Sequence, residues 1–230
     1  ALKMAHCSNA LCSTATTYTL DSAGNVGYST SITIGADGLG LISYFDVTSY
    51  DLKVAHCSDA LCSTAATYTL DSAGNVGLFT SITIGTDGLG LISYYDDINS
   101  ALKVAHCSNA LCSSATFAIL DNAGDVGFFI SITLGADGLG LISYFDTTNA
   151  ALKVAHCSNS LCSSATSYTL EGSGYVGQYT SITIGPDGLG LISYLDYANG
   201  NLKLAHCSNA LCSGATIAIL ESAWAHAAKK

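Results

Sequence analysis

The sequence predicts an all-β fold built from repeated units of four short strands. Three observations support this prediction. The segment Ala-His-Cys-Ser recurs without insertions every 50 residues, at 5–8, 55–58, 105–108, 155–158 and 205–208. Each period contains four short runs rich in Thr, Ile and Tyr, and no window combines helical periodicity with helix caps. Four short antiparallel strands in a period of this length are typical of a β-propeller blade.

The strand-like runs of the first period are separated by turn residues. Residues 2–8 alternate larger side chains with Lys, Ala and Cys, and residues 15–21 are rich in Thr and Tyr. Residues 30–35 alternate Ile with Ser and Thr, and residues 39–46 follow the turn Ala-Asp-Gly. Each run is short, rich in β-branched or aromatic residues, and bounded by Gly, Asp, Asn or Ser, which predicts a strand.

The run SITIGADGLGLISYFD (31–46), with DLKVAHC (51–57), resembles the blade consensus of bacterial extracellular β-propeller repeats, loosely similar to NHL and BNR-like blades. The resemblance covers the chain apart from the last nine residues. It implies that 30–35 is the innermost strand, 39–46 the second, 51–57 the third, and the Thr- and Tyr-rich run the outermost. Propellers support many chemistries, so the resemblance carries little information about function.

This strand order predicts a single propeller domain over residues 1–221 that begins with half a blade. Residues 1–21 supply third and outer strands without an inner pair, and residues 222–230 form a non-repeat tail. We expect a five-bladed ring with one incomplete blade, because an open ring leaves strand edges unpaired. The alternatives are a half blade docked on a four-bladed ring, or lost upstream sequence. The four complete blades are expected at about 30–71, 80–121, 130–171 and 180–221.

Composition restricts the partners and the compartment. The 230 residues carry a formal net charge of −10 with only seven basic side chains, so we expect no nucleic-acid partner. No apolar run reaches the roughly 18 residues of a membrane helix, so we expect no membrane insertion. Ten cysteines in a chain with few charges favour secretion to an extracellular or cell-surface location. The start at Ala1 rather than Met favours a mature or trimmed product.

Each repeat carries two cysteines on either side of a four-residue loop between the third and outer strands. Residues that flank such a loop face each other at a Cα separation of about 4.5–5.5 Å, which is within disulfide reach. Each bond closes a small loop and contributes about 2 kcal/mol or less. We expect five disulfides within hairpins, namely Cys7–Cys12, Cys57–Cys62, Cys107–Cys112, Cys157–Cys162 and Cys207–Cys212.

A zinc site or a redox site is the alternative for these cysteines. His6 and Cys7 are consecutive on a strand and therefore point to opposite faces, and a structural zinc needs four ligands. A thioredoxin-like site would need a Cys-x-x-Cys pair and a thiol of lowered pKa. We expect no metal and no cofactor, and we interpret His6 and its equivalents as hydrogen-bonded histidines between blades.

The predicted inner strands carry no carboxylate, His or Lys. A glycosidase needs two carboxylates at the reacting bond, and the turns at Asp21 and Asp37 are expected at opposite ends of a blade. Ser31 and Ser43 have no base on their own strands. We therefore expect no catalytic residues and no enzymatic activity.

The copies differ mainly at residues 28–29, at the connection 47–51, and at their equivalents. We call the side that carries these segments the variable face, because alternating chain direction in a four-stranded meander brings both to one side. Rigid aromatics beside amides suit contacts with a glycan or a protein, although surface loops also simply drift. The predicted ligand- or partner-contacting residues are Tyr28, Tyr50, Phe79, Asn99, Phe129, Asn149, Tyr179, Tyr197 and Asn199.

The sequence thus predicts a non-catalytic, extracellular, disulfide-stapled β-propeller. The first hypothesis is a lectin-like module that binds a glycan or a protein on the variable face. The second is a structural subunit of an extracellular filament or surface assembly, which would self-associate. The third, which the missing inner-strand carboxylates argue against, is a glycoside hydrolase-like propeller.

Overall fold

The computed structural model describes residues 1–172 and 174–222. Over these residues the chain forms eighteen β-strands and no helix. Four sheets have four antiparallel strands each, and one sheet has two. The chain is therefore a β-propeller of five blades, of which the first is incomplete, as the repeat predicts. Of the predicted tail 222–230, residues 223–230 lie outside the described residues.

The strands follow the 50-residue period. The incomplete first blade, which we call the half blade, contains β1 (Leu2–Cys7) and β2 (Ala15–Asp21). The complete blades contain β3 (Val26–Ile34), β4 (Gly40–Asp46), β5 (Asp51–Cys57) and β6 (Ala65–Asp71); β7 (Val76–Ile84), β8 (Gly90–Asp96), β9 (Ala101–Cys107) and β10 (Ala115–Asp121); β11 (Val126–Leu134), β12 (Gly140–Asp146), β13 (Ala151–Cys157) and β14 (Ala165–Glu171); and β15 (Val176–Ile184), β16 (Gly190–Asp196), β17 (Asn201–Cys207) and β18 (Ala215–Glu221).

The inner strands begin four residues earlier than predicted, at Val26 rather than at residue 30. The pairing of β3 with β4 shifts twice, between Val26 and Tyr28 and between Tyr28 and Ser31. Gly27 and Ser29 have positive φ angles of 91° and 49° within this irregular stretch. The irregularity conceals the alternation expected of a strand, which explains why the sequence pattern missed these four residues.

A buried acidic group links each blade to the next one. Tyr44 on β4 is fully buried, and its hydroxyl donates a 2.7 Å hydrogen bond to the carboxylate of Asp21 on the preceding blade. The Lys53 ammonium lies 2.8 Å from the Asp21 carboxylate and 3.6 Å from that of Asp46. The charges are therefore paired and hydrogen-bonded, as buried charges must be. The same arrangement occurs around Asp71, Asp121 and Glu171.

The outer hairpins and the inner turns are each held by a covalent or ionic contact. The five predicted disulfides are present, with Cα separations of 4.8–4.9 Å. His56 is buried, and its Nε2 lies 2.8 Å from Asp37 in the turn between β3 and β4. The four equivalents of His6 are hydrogen-bonded as predicted, but each partner lies in the same blade rather than in the next one. Among the described residues, His6 itself has no such partner.

The inner strands β3, β7, β11 and β15 surround the axis, and each packs against the next. Among the described residues, no comparable contact joins β15 back to β3. The ring is therefore open on its inner side, where the half blade has no inner pair of strands. None of the described segments is a helix long and apolar enough to cross a membrane.

Candidate functional site

Aromatic side chains occupy the axial mouth on the variable face. The equivalent residues Phe79, Phe129 and Tyr179 have positive φ angles of 54°, 52° and 53°. This conformation costs a non-glycine residue about 1–2 kcal/mol, and such strain collects at functional sites. The three side chains border an axial cavity of about 310 Å³, together with Ser29, Thr30, Thr80, Ile130 and Thr180.

These rings form one continuous group that extends away from the axis. The ring centroids of Phe129 and Tyr179 lie 4.3 Å apart, and those of Phe79 and Phe129 lie 5.1 Å apart. Phe128 connects this group outward to Tyr95, and the ring centroids of Phe128 and Tyr95 lie 4.4 Å apart. Ring faces of this kind, with Thr hydroxyls beside them, are chemically suited to the apolar and polar sides of a sugar.

Three polar residues that differ from their equivalents in the other blades lie near one another at the outer end of this aromatic group. Tyr95 stands where the other blades have Phe45, Phe145 and Leu195. Asp97 stands where they have Val47, Thr147 and Tyr197, and Asp125 where they have Asn25, Asn75 and Tyr175. The Tyr95 hydroxyl donates a 2.6 Å hydrogen bond to Asp125 on the next blade. The charge of Asp97 also acts on this hydroxyl.

The electrostatics of this group keep the phenol protonated. Burial raises the pKa of Tyr95, and the adjacent carboxylates of Asp125 and Asp97 raise it further, well above the usual tyrosine value. Tyr95 is only 3% exposed. It therefore acts as a fixed hydrogen-bond donor that orients the Asp125 carboxylate. Asp125 is half-buried and Asp97 is exposed, so solvent or a ligand can reach Asp97.

Asn75, which lies beside Asp97, has a buried polar atom without a hydrogen-bond partner. The Asn75 side-chain amide donates a 2.9 Å hydrogen bond to Asp97, whereas Asn75 Oδ1 is buried without a donor. A buried acceptor without a partner costs about 1–3 kcal/mol, and such atoms call for a physical explanation.

The residues predicted to contact a ligand do not all meet. Phe79, Phe129 and Tyr179 converge at the axial mouth, whereas Tyr28, Tyr50 and Tyr197 are exposed side chains outside the lining of the cavity. Asn99, Asn149 and Asn199 donate hydrogen bonds to Asp96, Asp146 and Asp196 in their own turns. These asparagine amides therefore stabilise their own turns. The contact prediction as a whole remains a prediction.

The sequence reasoning missed Tyr95, Asp97 and Asp125. It searched the inner strands for titratable groups, and these three residues lie on a second strand and on two connecting loops. A signal was available, because each breaks the repeat at a position where the other copies lack that group. Over the described part of the chain, no cluster of three or more His, Cys, Asp or Glu residues could hold a metal ion.

No protein-family model and no curated protein matches this sequence. Solved structures do match the fold. An α-L-arabinofuranosidase from Lactobacillus brevis is 10% identical, with a TM-score of 0.57, and the match covers 83% of this chain and 72% of that one. An exo-β-1,3-galactanase from Phanerochaete chrysosporium is 12% identical, with a TM-score of 0.60, and the match covers 88% of this chain and 52% of that one.

A second exo-β-1,3-galactanase, from Clostridium thermocellum, is 11% identical, with a TM-score of 0.58, and the match covers 88% of this chain and 50% of that one. The chain thus spans about half the length of the two galactanases. These neighbours support a β-propeller. The finer resemblance to NHL and BNR-like blades and a bacterial origin gain no support from them.

The comparison contradicts the expectation of a non-catalytic binding module or structural subunit. Solved structures that share this fold include glycoside-cleaving enzymes, which is the alternative that the missing inner-strand carboxylates argue against. The expectation that the protein is not an enzyme was drawn from the inner strands alone. Carboxylates also lie on the connecting loops, as at Asp97 and Asp125, so inner strands without titratable groups do not exclude catalysis.

Proposed function

We propose that this chain is a glycoside hydrolase-like propeller that binds carbohydrate at the axial mouth of its variable face and cleaves it at the outer end of the aromatic group. The observation that carries the proposal is the convergence of Tyr95, Asp97 and Asp125 beside the aromatic group. All three depart from otherwise near-identical repeats, and they meet at one junction between blades. The glycosidase fold of the neighbours supports the same reaction class.

Glycoside hydrolysis needs two carboxyl groups beside the bond that breaks. In this proposal Asp125, held by the Tyr95 hydroxyl, is the oriented carboxylate that stabilises the developing positive charge on the sugar. Asp97 is exposed, and in this proposal its carboxyl is the general acid. The Asp97 carboxyl gives its proton to the leaving oxygen as the glycosidic bond breaks. Water then bonds to the sugar carbon and supplies the hydroxyl of the new sugar end, and the remaining proton of that water returns to the Asp97 carboxylate.

The aromatic group is the substrate platform in this proposal. Phe79, Phe129 and Tyr179 stack on sugar rings at the cavity. An extracellular location is part of the proposal, because five disulfides suit an oxidising compartment that gives access to polysaccharides.

The repeat itself provides conservative variants for the test. Asp97→Thr and Asp125→Asn replace each acid by a residue that an equivalent blade already carries, so the fold should tolerate both changes. We expect the wild type to release sugar from an arabinan or a β-1,3-galactan, and each variant to lower the rate at least about 100-fold. The measurement is reducing-sugar release, with products identified by mass spectrometry.

Asp59→Asn is the matched control. It also restores the repeat residue, as at Asn9, Asn109 and Asn159, but it lies in a disulfide hairpin loop away from the cavity. It should leave the rate unchanged. The proposal is wrong if none of these glycans is cleaved, or if turnover survives in both Asp97→Thr and Asp125→Asn.

A further inference from the structure

The half blade leaves one side of a strand without a neighbour. β1 pairs with β2 on one side only, whereas β5, β9, β13 and β17 each lie between two strands. A cavity of about 110 Å³ lies beside β1, lined by Leu2, Lys3 and Met4 together with Thr30, Ser31 and Ile32 of β3. An unpaired strand edge next to an apolar cleft is a template for pairing with another strand.

The complete blades show what normally covers this surface. Ile82, Ile132 and Ile182 on the inner strands are 5%, 6% and 7% exposed, because the preceding inner strand packs against each. The equivalent Ile32 is 49% exposed, and Ile34 next to it on that face is 62% exposed. The surface is therefore complementary to an inner strand of this same repeat.

Hydrogen bonds between inner strands also indicate that the exposed surface of β3 fits an inner strand of this repeat. The amide of Ile82 donates a 3.2 Å hydrogen bond to Ser31 Oγ of the preceding inner strand. The amides of Ile132 and Ile182 donate in the same way to Ser81 and Ser131. Among the described residues, no serine occupies the corresponding place beside Ile32. An added inner strand with the Ser-Ile-Thr pattern would supply one.

Lys3 and His6 of the half blade lack the carboxylate partners that their equivalents have. Lys103 lies 3.3 Å from Asp96 at the end of the adjacent second strand, and His106 lies 2.7 Å from Asp87 in the inner turn. Lys3 and His6 occupy the same positions in β1, and within the described residues neither forms an ion pair. Lys3 is exposed, whereas Lys103 is largely covered.

We propose that β1 is the acceptor strand for a β-hairpin that has the repeat's own inner-strand sequence. The hairpin would add a second strand antiparallel to β1 and an inner strand beside β3. Its turn aspartate would meet His6, and its terminal aspartate would meet Lys3. Main-chain pairing provides affinity in such strand addition, and the side chains provide specificity.

The register follows from the complete blades. In the blade of β7–β10, Leu91 pairs with His106, Ser93 with Val104 and Tyr95 with Leu102. A hairpin with residues 76–96 would therefore place its Leu91 opposite His6, its Ser93 opposite Met4, and its Tyr95 opposite Leu2. This register closes the ring with the geometry that the other blades already use.

The test uses a synthetic fluorescent peptide with the sequence of residues 76–96 and the full chain. We expect saturable one-to-one binding by anisotropy and slower hydrogen exchange at the β1 amides. Lys3→Glu should weaken binding at least about tenfold, since it places a like charge against the peptide's Asp96. A peptide carrying Asp96→Lys should recover binding to the Lys3→Glu chain. This reciprocal rescue distinguishes pairing at Lys3 from a general loss of structure.

Thr17→Glu is the matched control, because Thr17 is exposed on β2, away from the free edge of β1. It should bind the peptide like the wild type. The proposal is overturned by any of four results: no saturable binding, protection at a strand other than β1, equal weakening by Thr17→Glu, or failure of the rescue. A dimer of the chain in analytical ultracentrifugation that excludes the peptide would make a second intact copy the occupant and would also overturn it.

Discussion

Individual carboxylates in this protein have distinct roles that their neighbours determine. Asp71 lies under a tyrosine hydroxyl and a lysine ammonium and connects two blades. Asp87 holds a buried histidine to an inner turn. Asp97 and Asp125 lie near the Tyr95 phenol at a junction between two blades. Buried carboxylates therefore stabilise the contacts between and within blades, and we propose that the accessible ones take part in catalysis.

The buried acids make the stability of the fold dependent on pH. Burial alone would raise the pKa of Asp71, but hydrogen bonds from Lys103, Tyr94 and the Ala73 amide hold it below its usual value. The pKa values of Asp21 and Asp121 are lowered for corresponding reasons. A carboxyl with a lowered native pKa contributes stability above its unfolded pKa of about 4 and loses it as the pH falls through the native pKa.

We therefore expect the urea midpoint to be constant near neutrality and to fall steeply below about pH 4. Asp71→Asn should lower the free energy of unfolding by about 2 kcal/mol at pH 7, because Lys103 loses a partner. It should also flatten the acid limb relative to the wild type. Chemical denaturation from pH 7 to pH 3 checks both effects, and an unchanged acid limb in Asp71→Asn would refute this account.

At the scale of the element, the disulfide hairpin packs against the start of the second strand. A Cβ on Gly140 would lie 2.7 Å from Cys157 Sγ and 3.0 Å from a methyl group of Leu91 on the preceding blade. The strand can approach the disulfide this closely only because the residue is glycine. The same approach recurs at Gly40, Gly90 and Gly190.

Gly140→Ala should therefore destabilise the fold by about 1–3 kcal/mol through overpacking. Gly172→Ala is the control, because its Cβ would meet nothing nearer than 3.6 Å and the position is exposed. Thermal denaturation of both variants under oxidising conditions measures the difference. Equal midpoints would show that the disulfide shifts to accommodate a methyl group.

At the scale of the whole molecule, the open ring gives equivalent strands different numbers of neighbours despite their similar sequences. β1 and β9 have nearly the same residues, yet β9 lies between two strands and β1 has one neighbour. Strands with fewer neighbours open at lower free energy. We expect the amides of residues 3–7 to exchange with deuterium faster than those of residues 103–107.

Hydrogen exchange followed by mass spectrometry can compare these two segments directly. The near-identity of their sequences removes most of the difference in intrinsic exchange rate. Equal protection in the isolated chain would mean that the free edge of β1 is covered in solution, which would contradict the open ring. Faster exchange that slows when the repeat-derived hairpin is added would agree with both the open ring and the proposed acceptor role.

The sequence alone determined the periodic features of this protein. The exact 50-residue repeat specified the strand types, the blade, the incomplete first blade and the disulfide pairing, because these depend on local spacing and on alternation. The start of the inner strands was missed, since residues near Ser29 adopt a positive φ that breaks the alternation.

Only the tertiary structure decided which residues from different blades meet. Tyr95 and Asp125 are 30 residues apart on neighbouring blades, yet their oxygens lie 2.6 Å apart. A repeat pattern describes each blade by itself, whereas this contact depends on the angle at which two blades pack. The exposure of Ile32, against the burial of Ile82, likewise depends on a missing neighbour rather than on sequence. Contacts between units are set by their packing, which residue spacing within one unit does not encode.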